Sequence, residues 1–223
     1  MDIDQTLLDR THHEDNGENH VMTSVETPMR PDAFEKTDEE KMANIEKLFS
    51  GIMEELGLDM TDDSLKGTPY RVAKMYVKEM FRGLDPQQKP SLSVFENKYQ
   101  YDKMLVEKDI TFTSACEHHF LPIVGKAHVA YISSSGKVIG LSKINRIVEY
   151  YGKRPQVQER MTLQIYHELK EALQTADIIV VVEAEHLCVS SRGVNDKTSR
   201  TTTLEYGGKF EDPKLRDEFY QLI

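Results

Sequence analysis

The spacing of apolar residues changes part-way along this chain, and no all-helical or all-strand fold satisfies both spacings. Met42, Ile45, Phe49, Ile52, Met53 and Leu56 recur at helical intervals. They follow Thr37-Asp-Glu-Glu40, a capping-box pattern, and Gly57 suits the stop. A second helix starts at Thr68-Pro69, with proline at the first helical position. Val72, Met75, Tyr76 and Met80 line one of its faces, and Gly83 ends it. Residues 85–101, with Pro, Gln, Ser and Asn, read as a connector. Beyond them the period falls to two. Val106, Ile110 and Phe112 alternate with polar residues up to Ser114, which predicts a strand. Ile123, Gly125, Ala127, Val129 and Tyr131 predict its antiparallel neighbour, with residues 133–137 as the next turn.

The helical period then returns. Ser142 is placed to cap a helix carrying Ile144, Ile147, Val148 and Tyr151, and Pro155 breaks or restarts it. A longer helix carries Val157, Met161, Ile165, Leu169 and Leu173 inward. Residues 177–185 and 199–206 are β-branched strands, and a short helix over 213–222 closes the chain. The order α-α-β-β-α-α-β-β-α predicts an α+β fold with an antiparallel sheet, because two β pairs bracket two helices.

Charge is unevenly placed. Residues 1–40 hold twelve acids against three bases, a net of −9 out of the chain's −10. Such a stretch cannot bury enough apolar surface to offset the entropy of ordering, so residues 1–36 read as a flexible arm. His12, His13 and His20 lie in it and read as solvated polar residues rather than a metal tract. An acidic chain lacks the basic face of a duplex nucleic-acid binder. The longest strongly apolar run, Ile178–Val182, is too short to span a bilayer. No basic stretch followed by an apolar core marks a signal peptide, and there are only two cysteines. Together these features predict a reducing, cytoplasmic setting, where paired thiols serve metal or catalysis.

Those thiols sit in the densest chemical clusters. Cys116-Glu117-His118-His119 follows one predicted strand and His186-Leu187-Cys188 follows another, so the two clusters can meet at strand ends. Two thiolates and one imidazole are ligands that zinc prefers, and three protein ligands leave a fourth position for water. Neighbouring side chains diverge, so one of His118 and His119 is left over. His186 is a further ligand candidate or a second imidazole for proton transfer. Gly140-Leu-Ser-Lys-Ile-Asn-Arg146 places Lys143 and Arg146 on one face near a helix start, where an anion is favoured; a solvated basic face fits the pair equally. Arg71, Lys74 and Arg192 are further isolated cations. In Arg154-Pro-Gln-Val-Gln-Glu-Arg160, Gln158 and Glu159 could read a nucleobase edge or form a polar first helical turn.

Taken in order, these segments resemble GTP cyclohydrolase I. The match runs through Thr68-Pro-Tyr-Arg-Val-Ala-Lys-Met-Tyr76, Asp109-Ile-Thr-Phe-Thr-Ser-Ala-Cys-Glu-His-His-Phe120 and Gly140-Leu-Ser-Lys-Ile-Asn-Arg-Ile147. It continues through Arg154-Pro-Gln-Val-Gln-Glu-Arg160, His186-Leu-Cys188 and Arg192-Gly193, over about residues 40–220. The resemblance implies one zinc held by Cys116, His119 and Cys188. It implies a hydrolase that opens the guanine imidazole ring of GTP at C8, releases formate and closes the ribose carbons into 7,8-dihydroneopterin triphosphate. That is the first step toward folate or tetrahydrobiopterin. His118 and His186 become the proton-transfer residues, His118 at N7, and Ser142 hydrogen-bonds near the ribose. Gln158 and Glu159 match the guanine-recognition positions. Lys143, Arg146, Arg192, Arg71 and Lys74 match a cationic triphosphate pocket built across subunit boundaries.

The implied fold is the tunnelling fold, an antiparallel sheet with two helices between its β pairs, preceded by a helical hairpin. Family members assemble as a homodecamer of two stacked pentamers. The expected division is an acidic arm (1–36), a helical region (37–95) and a catalytic domain (96–223). A regulatory protein partner leaves no sequence signature. Two other readings compete: a related enzyme acting on another pterin or deazapurine, and a zinc-stabilised nucleotide binder without turnover. The joint presence of Ser142, Lys143, Arg146, Gln158 and Glu159 argues against the first, and that of His118 and His186 against the second.

Overall fold

The computed structural model describes residues 24–223; His12, His13 and His20 lie outside them. Helix α1 (Asp38–Glu55) is capped reciprocally. Thr37 Oγ1 accepts from the Glu40 N–H, and the Glu40 carboxylate accepts from the Thr37 N–H. Gly57 ends the helix with a φ of +76°, a conformation that a Cβ disfavours. Helix α2 (Thr68–Lys74) has Pro69 in its first turn and runs on into a π-helical turn, Met75–Met80. The segment expected to be a connector holds a short strand, β1 (Val94–Glu96), paired antiparallel with β4 (Lys137–Ile139).

The main sheet contains β2 (Leu105–Cys116), β3 (Pro122–Tyr131), β5 (Pro155–Gln156), β6 (Ile178–His186) and β7 (Thr201–Tyr206). Its order is β5-β2-β3-β6-β7. The expectation of a wholly antiparallel sheet is corrected: β5 runs parallel to β2, with Ala115 opposite Pro155 and Cys116 opposite Gln156. The cause is the path of helix α3 (Leu141–Gly152). It lies against β2 and delivers the chain beside that strand's end, and proline is tolerated there because the strand is an edge. The cap of α3 is a second correction. Gly140, not Ser142, is the N-cap, because the Gly140 N–H pairs with the Ser93 carbonyl and holds that residue in extended geometry. Ser142 is the second helical residue.

Helices α3 and α4 (Gln158–Leu173) cover one face of the sheet. Ile144, Ile147, Val148, Ile165, Leu169 and Leu173 pack there against Phe112, Val129, Val180 and Val182. Along β2 the alternation is direct, with Ile110, Phe112 and Ser114 buried and Thr111 and Thr113 exposed. A smaller cluster of Ala130, Ile132, Ile179, Val181, Phe210 and Phe219 seats the closing helix α6 (Pro213–Leu222) on the other face. Between β6 and β7 the chain makes one helical turn, α5 (Leu187–Ser190). Near the start of the described residues, Ser24 and Glu26 hydrogen-bond to side chains of α4. No helix among the described residues is long and apolar enough to cross a membrane.

Leu169 is fully buried between α4 and the sheet. Leu169→Ala leaves a cavity at the centre of this layer, and chemical denaturation is expected to show a loss of about 2–5 kcal/mol.

Candidate metal centre and nucleotide site

Two strand ends build the centre. Strand β2 ends at Cys116, and the chain turns back through residues 117–121 into β3. The Cys116 N–H donates to the Leu121 carbonyl at 2.8 Å, and the Phe120 N–H donates to the Cys116 carbonyl at 2.8 Å. This turn forces Phe120 to a φ of +54°, which is uncommon for a bulky residue. Its ring rests on Phe81 and Tyr76, with centroids 5.2 and 6.2 Å away, so the π-helical turn clasps the far end of the loop. Strand β6 reaches the same level, because Ile123 of β3 pairs with Ser114 on one side and His186 on the other. Cys188 follows on α5.

The ligand atoms of Cys116, His119 and Cys188 all lie within 4.8 Å of one another. Cys116 Sγ is 3.7 Å from Nδ1 of both His118 and His119, so proximity to Cys116 alone does not choose between them; grouping with Cys188 selects His119. A tetrahedral ion about 2.3 Å from sulfur and about 2.0 Å from imidazole nitrogen spaces those atoms by roughly 3.5 Å. The observed 3.7 Å fits that geometry. Two sulfurs and one imidazole suit a borderline-soft ion. Burial, and then the hydrogen bond with Cys116, push the Cys188 thiol up to about 11. An ion that binds there must displace its proton.

Beside the cluster, His186 Nε2 lies 2.7 Å from Gln158 Oε1. The Gln158 amide nitrogen donates to the carbonyls of Val182 and Thr201 and to Thr203 Oγ1, at 2.9, 3.0 and 3.2 Å. Its oxygen must therefore accept, which assigns the hydrogen to His186 Nε2 and leaves Nδ1 as the basic nitrogen. Burial lowers the pKa of His186, and the charge of Glu159 opposes that shift. Glu159 is exposed, whereas Gln158 is buried with its amide engaged by the chain itself. His118 is 40% exposed, with Nε2 3.8 Å from a Glu117 carboxylate oxygen. Arg192 reaches His119 Nε2 at 2.7 Å and adds a cation at the edge.

The structure thus brings Cys116, His118, His119, Gln158, Glu159, His186, Cys188 and Arg192 together. Ser142, Lys143 and Arg146 lie elsewhere. Ser142 and Lys143 open α3 and Arg146 lies at its middle, whereas its far end leads to Arg154, whose carbonyl accepts from Ser114 near the cluster. Ten residues of helix separate Ser142 from Gly152, about 15 Å. Arg146 instead lines an open cavity of about 700 Å³ with Lys108, Lys126 and Glu149. Lys74 is exposed on α2, and Arg71 donates to the Ser64 carbonyl and Thr68 Oγ1 at 2.9 and 2.8 Å.

Two pieces of the site escaped sequence reasoning. Glu117 and Arg160 form a bidentate ion pair, at 2.6 and 3.3 Å, across 43 residues. Arg154 is buried over the rings of Tyr150 and Tyr151, 4.5 and 4.8 Å from their centroids. All five of these residues stand inside or next to the quoted motifs, but no spacing rule pairs Glu117 with Arg160, 43 residues away.

Known proteins resemble this chain along most of its length. The family model described as GTP cyclohydrolase I matches residues 45–223. The protein named GTP cyclohydrolase 1 from Flavobacterium johnsoniae is 59% identical over 207 residues, covering 93% of this chain and 92% of its own. Proteins of the same name from Aeromonas salmonicida and Vibrio cholerae are each 53% identical over 196 residues. They cover 87% of this chain, and 88% and 89% of their own. With these matches spanning most of its length, the chain belongs to the GTP cyclohydrolase I family.

Proposed function

We propose that this chain opens the guanine imidazole ring of GTP, releases formate and forms 7,8-dihydroneopterin triphosphate. The observation that carries the reading is the convergence of Cys116, His119 and Cys188 beside a histidine of assigned tautomer, in a chain of this family. Those three residues would hold zinc, which when bound supplies an activated water at neutral pH. His186, with its hydrogen held on Nε2 by Gln158, has Nδ1 to take up and return protons. Its lowered pKa keeps the ring neutral near pH 7, the form that a general base needs. His118, partly exposed beside Glu117, is assigned the proton delivered to N7 during ring opening. The Glu159 carboxylate can accept the ring N–H and exocyclic amine of guanine together. Gln158 acts at the same edge through the orientation of His186.

The triphosphate calls for cations, and Arg192 is the one beside the cluster. Ser142, the residue for the ribose, and Lys143 stand in the first turn of α3, and Arg146 lies at its middle. The complete pocket is read as built across copies of the chain, with Arg71 and Lys74 acting on a neighbour's site. Membership of the family supports the homodecamer of stacked pentamers and the tunnelling fold. Joining β7 of one copy to the sheet of the next also removes exposed edges. Free thiols at Cys116 and Cys188 support a cytoplasmic setting. A binder without turnover has no use for a tautomer-locked imidazole.

Purified protein incubated with GTP is expected to yield formate and, after oxidation, neopterin fluorescence, both lost on chelation. Native mass measurement is expected to give ten copies. GTP retained unconverted by zinc-loaded protein overturns the reading. Cys188→Ala is expected to abolish stoichiometric zinc, measured by metal analysis. His118→Ala is expected to keep zinc and assembly while turnover falls about 10²–10⁴-fold.

A further inference from the structure

We infer that the chain's N-terminal segment at Ser24–Glu26 positions the metal-ligand loop through two side chains of α4. The inference rests on the proposed function for its catalytic consequence and on geometry alone for its structural one. Glu117 stands between the ligand Cys116 and His118. Its carboxylate receives two N–H groups from Arg160, whose side chain is only 3% exposed. The third edge of the guanidinium, Nε, donates to the Ser24 carbonyl at 2.8 Å. Arg160 therefore has its fork on the loop and its Nε–H on the N-terminal segment.

A second arm runs in parallel. Gln164, one turn along α4, donates to the Glu26 carboxylate at 2.7 Å. Its oxygen accepts from Gln156 at 2.9 Å, and Gln156 is the register partner of Cys116 in β5. Residues four apart share a helix face, so one segment grips both side chains. The same helical start carries Gln158, which orients His186. One rigid helix end thus holds both sides of the centre, and Ser24–Glu26 closes it from outside. Arg160, Gln164 and Glu26 touch no reacting atom in this arrangement and are positioning residues.

Misplacement of a ligand loop weakens metal binding and slows turnover more than it weakens substrate binding. The test uses full-length protein, with zinc affinity read by chelator competition and kcat separated from KM for GTP. Arg160→Lys replaces the fork by a point charge. It is expected to weaken zinc about tenfold or more and to lower kcat similarly, with KM within about twofold. Glu26→Ala is expected to cost about two- to tenfold in the same two quantities, and Glu26→Gln, which keeps an acceptor oxygen, to restore most of it. Folded Arg160→Lys and Glu26→Ala with unchanged zinc affinity and kcat overturn the inference. If Arg160→Lys does not fold, the Glu26 pair decides by the same criteria. If the unmodified protein makes no neopterin, the functional reading fails, and zinc affinity alone decides the positioning role.

Discussion

Strand β3 is hydrogen-bonded on both sides, and its two registers set where every chemical group of the centre stands. Ile123 faces Ser114 across one ladder and His186 across the other. That alignment brings the residues just beyond β2 and β6 to one edge of the sheet. A slip of one residue would turn Cys116 and His186 to opposite faces, since side chains alternate along a strand. The buried face of the sheet forbids the slip. Phe112, Val129, Val180 and Val182 are committed to the contact with α3 and α4. Packing of the apolar core and placement of the candidate metal ligands are one constraint.

The start of α4 carries an unusual load of buried polar side chains. Gln158, Arg160 and Gln164 are each at most 5% exposed. Buried polar groups are costly unless they find partners, and here each has them. Gln158 is spent on His186 and three acceptors, Arg160 on Glu117 and Ser24, Gln164 on Glu26 and Gln156. A network of this kind holds discrete geometry better than apolar packing does, because hydrogen bonds are directional. That is the physical reason for polar side chains where aliphatic ones would pack as well. The helical hairpin adds a second restraint, through the rings of Tyr76 and Phe81 on Phe120.

The cationic residues are distributed differently. Arg192 belongs to the cluster, whereas Lys143 stands in the first turn of α3 and Arg146 at its middle. Concentrating five cations around one anion pocket within a single chain would leave them repelling one another before substrate arrives. In the assembly proposed above, contributions from separate copies of the chain would bring that charge together only when the copies meet. Glu26, held by Gln164 one turn from Arg160, places a negative charge on this end of α4.

What the sequence determined by itself was whatever acts within a few residues. The reciprocal cap of Thr37 and Glu40, the glycine stop at Gly57 and the alternation along β2 were all legible, because each depends on local backbone geometry. The Cys116 and Cys188 clusters were legible as strand-end chemistry for the same reason. Tertiary structure decided what closes across distance. It made β5 parallel because α3 delivers the chain beside the end of β2. It moved the cap from Ser142 to Gly140 because Ser93 holds the preceding residue extended. It also joined Glu117 to Arg160 and His186 to Gln158, pairs 43 and 28 residues apart. Sequence spacing carries no information on such pairs, since only the completed sheet register brings them within hydrogen-bonding distance.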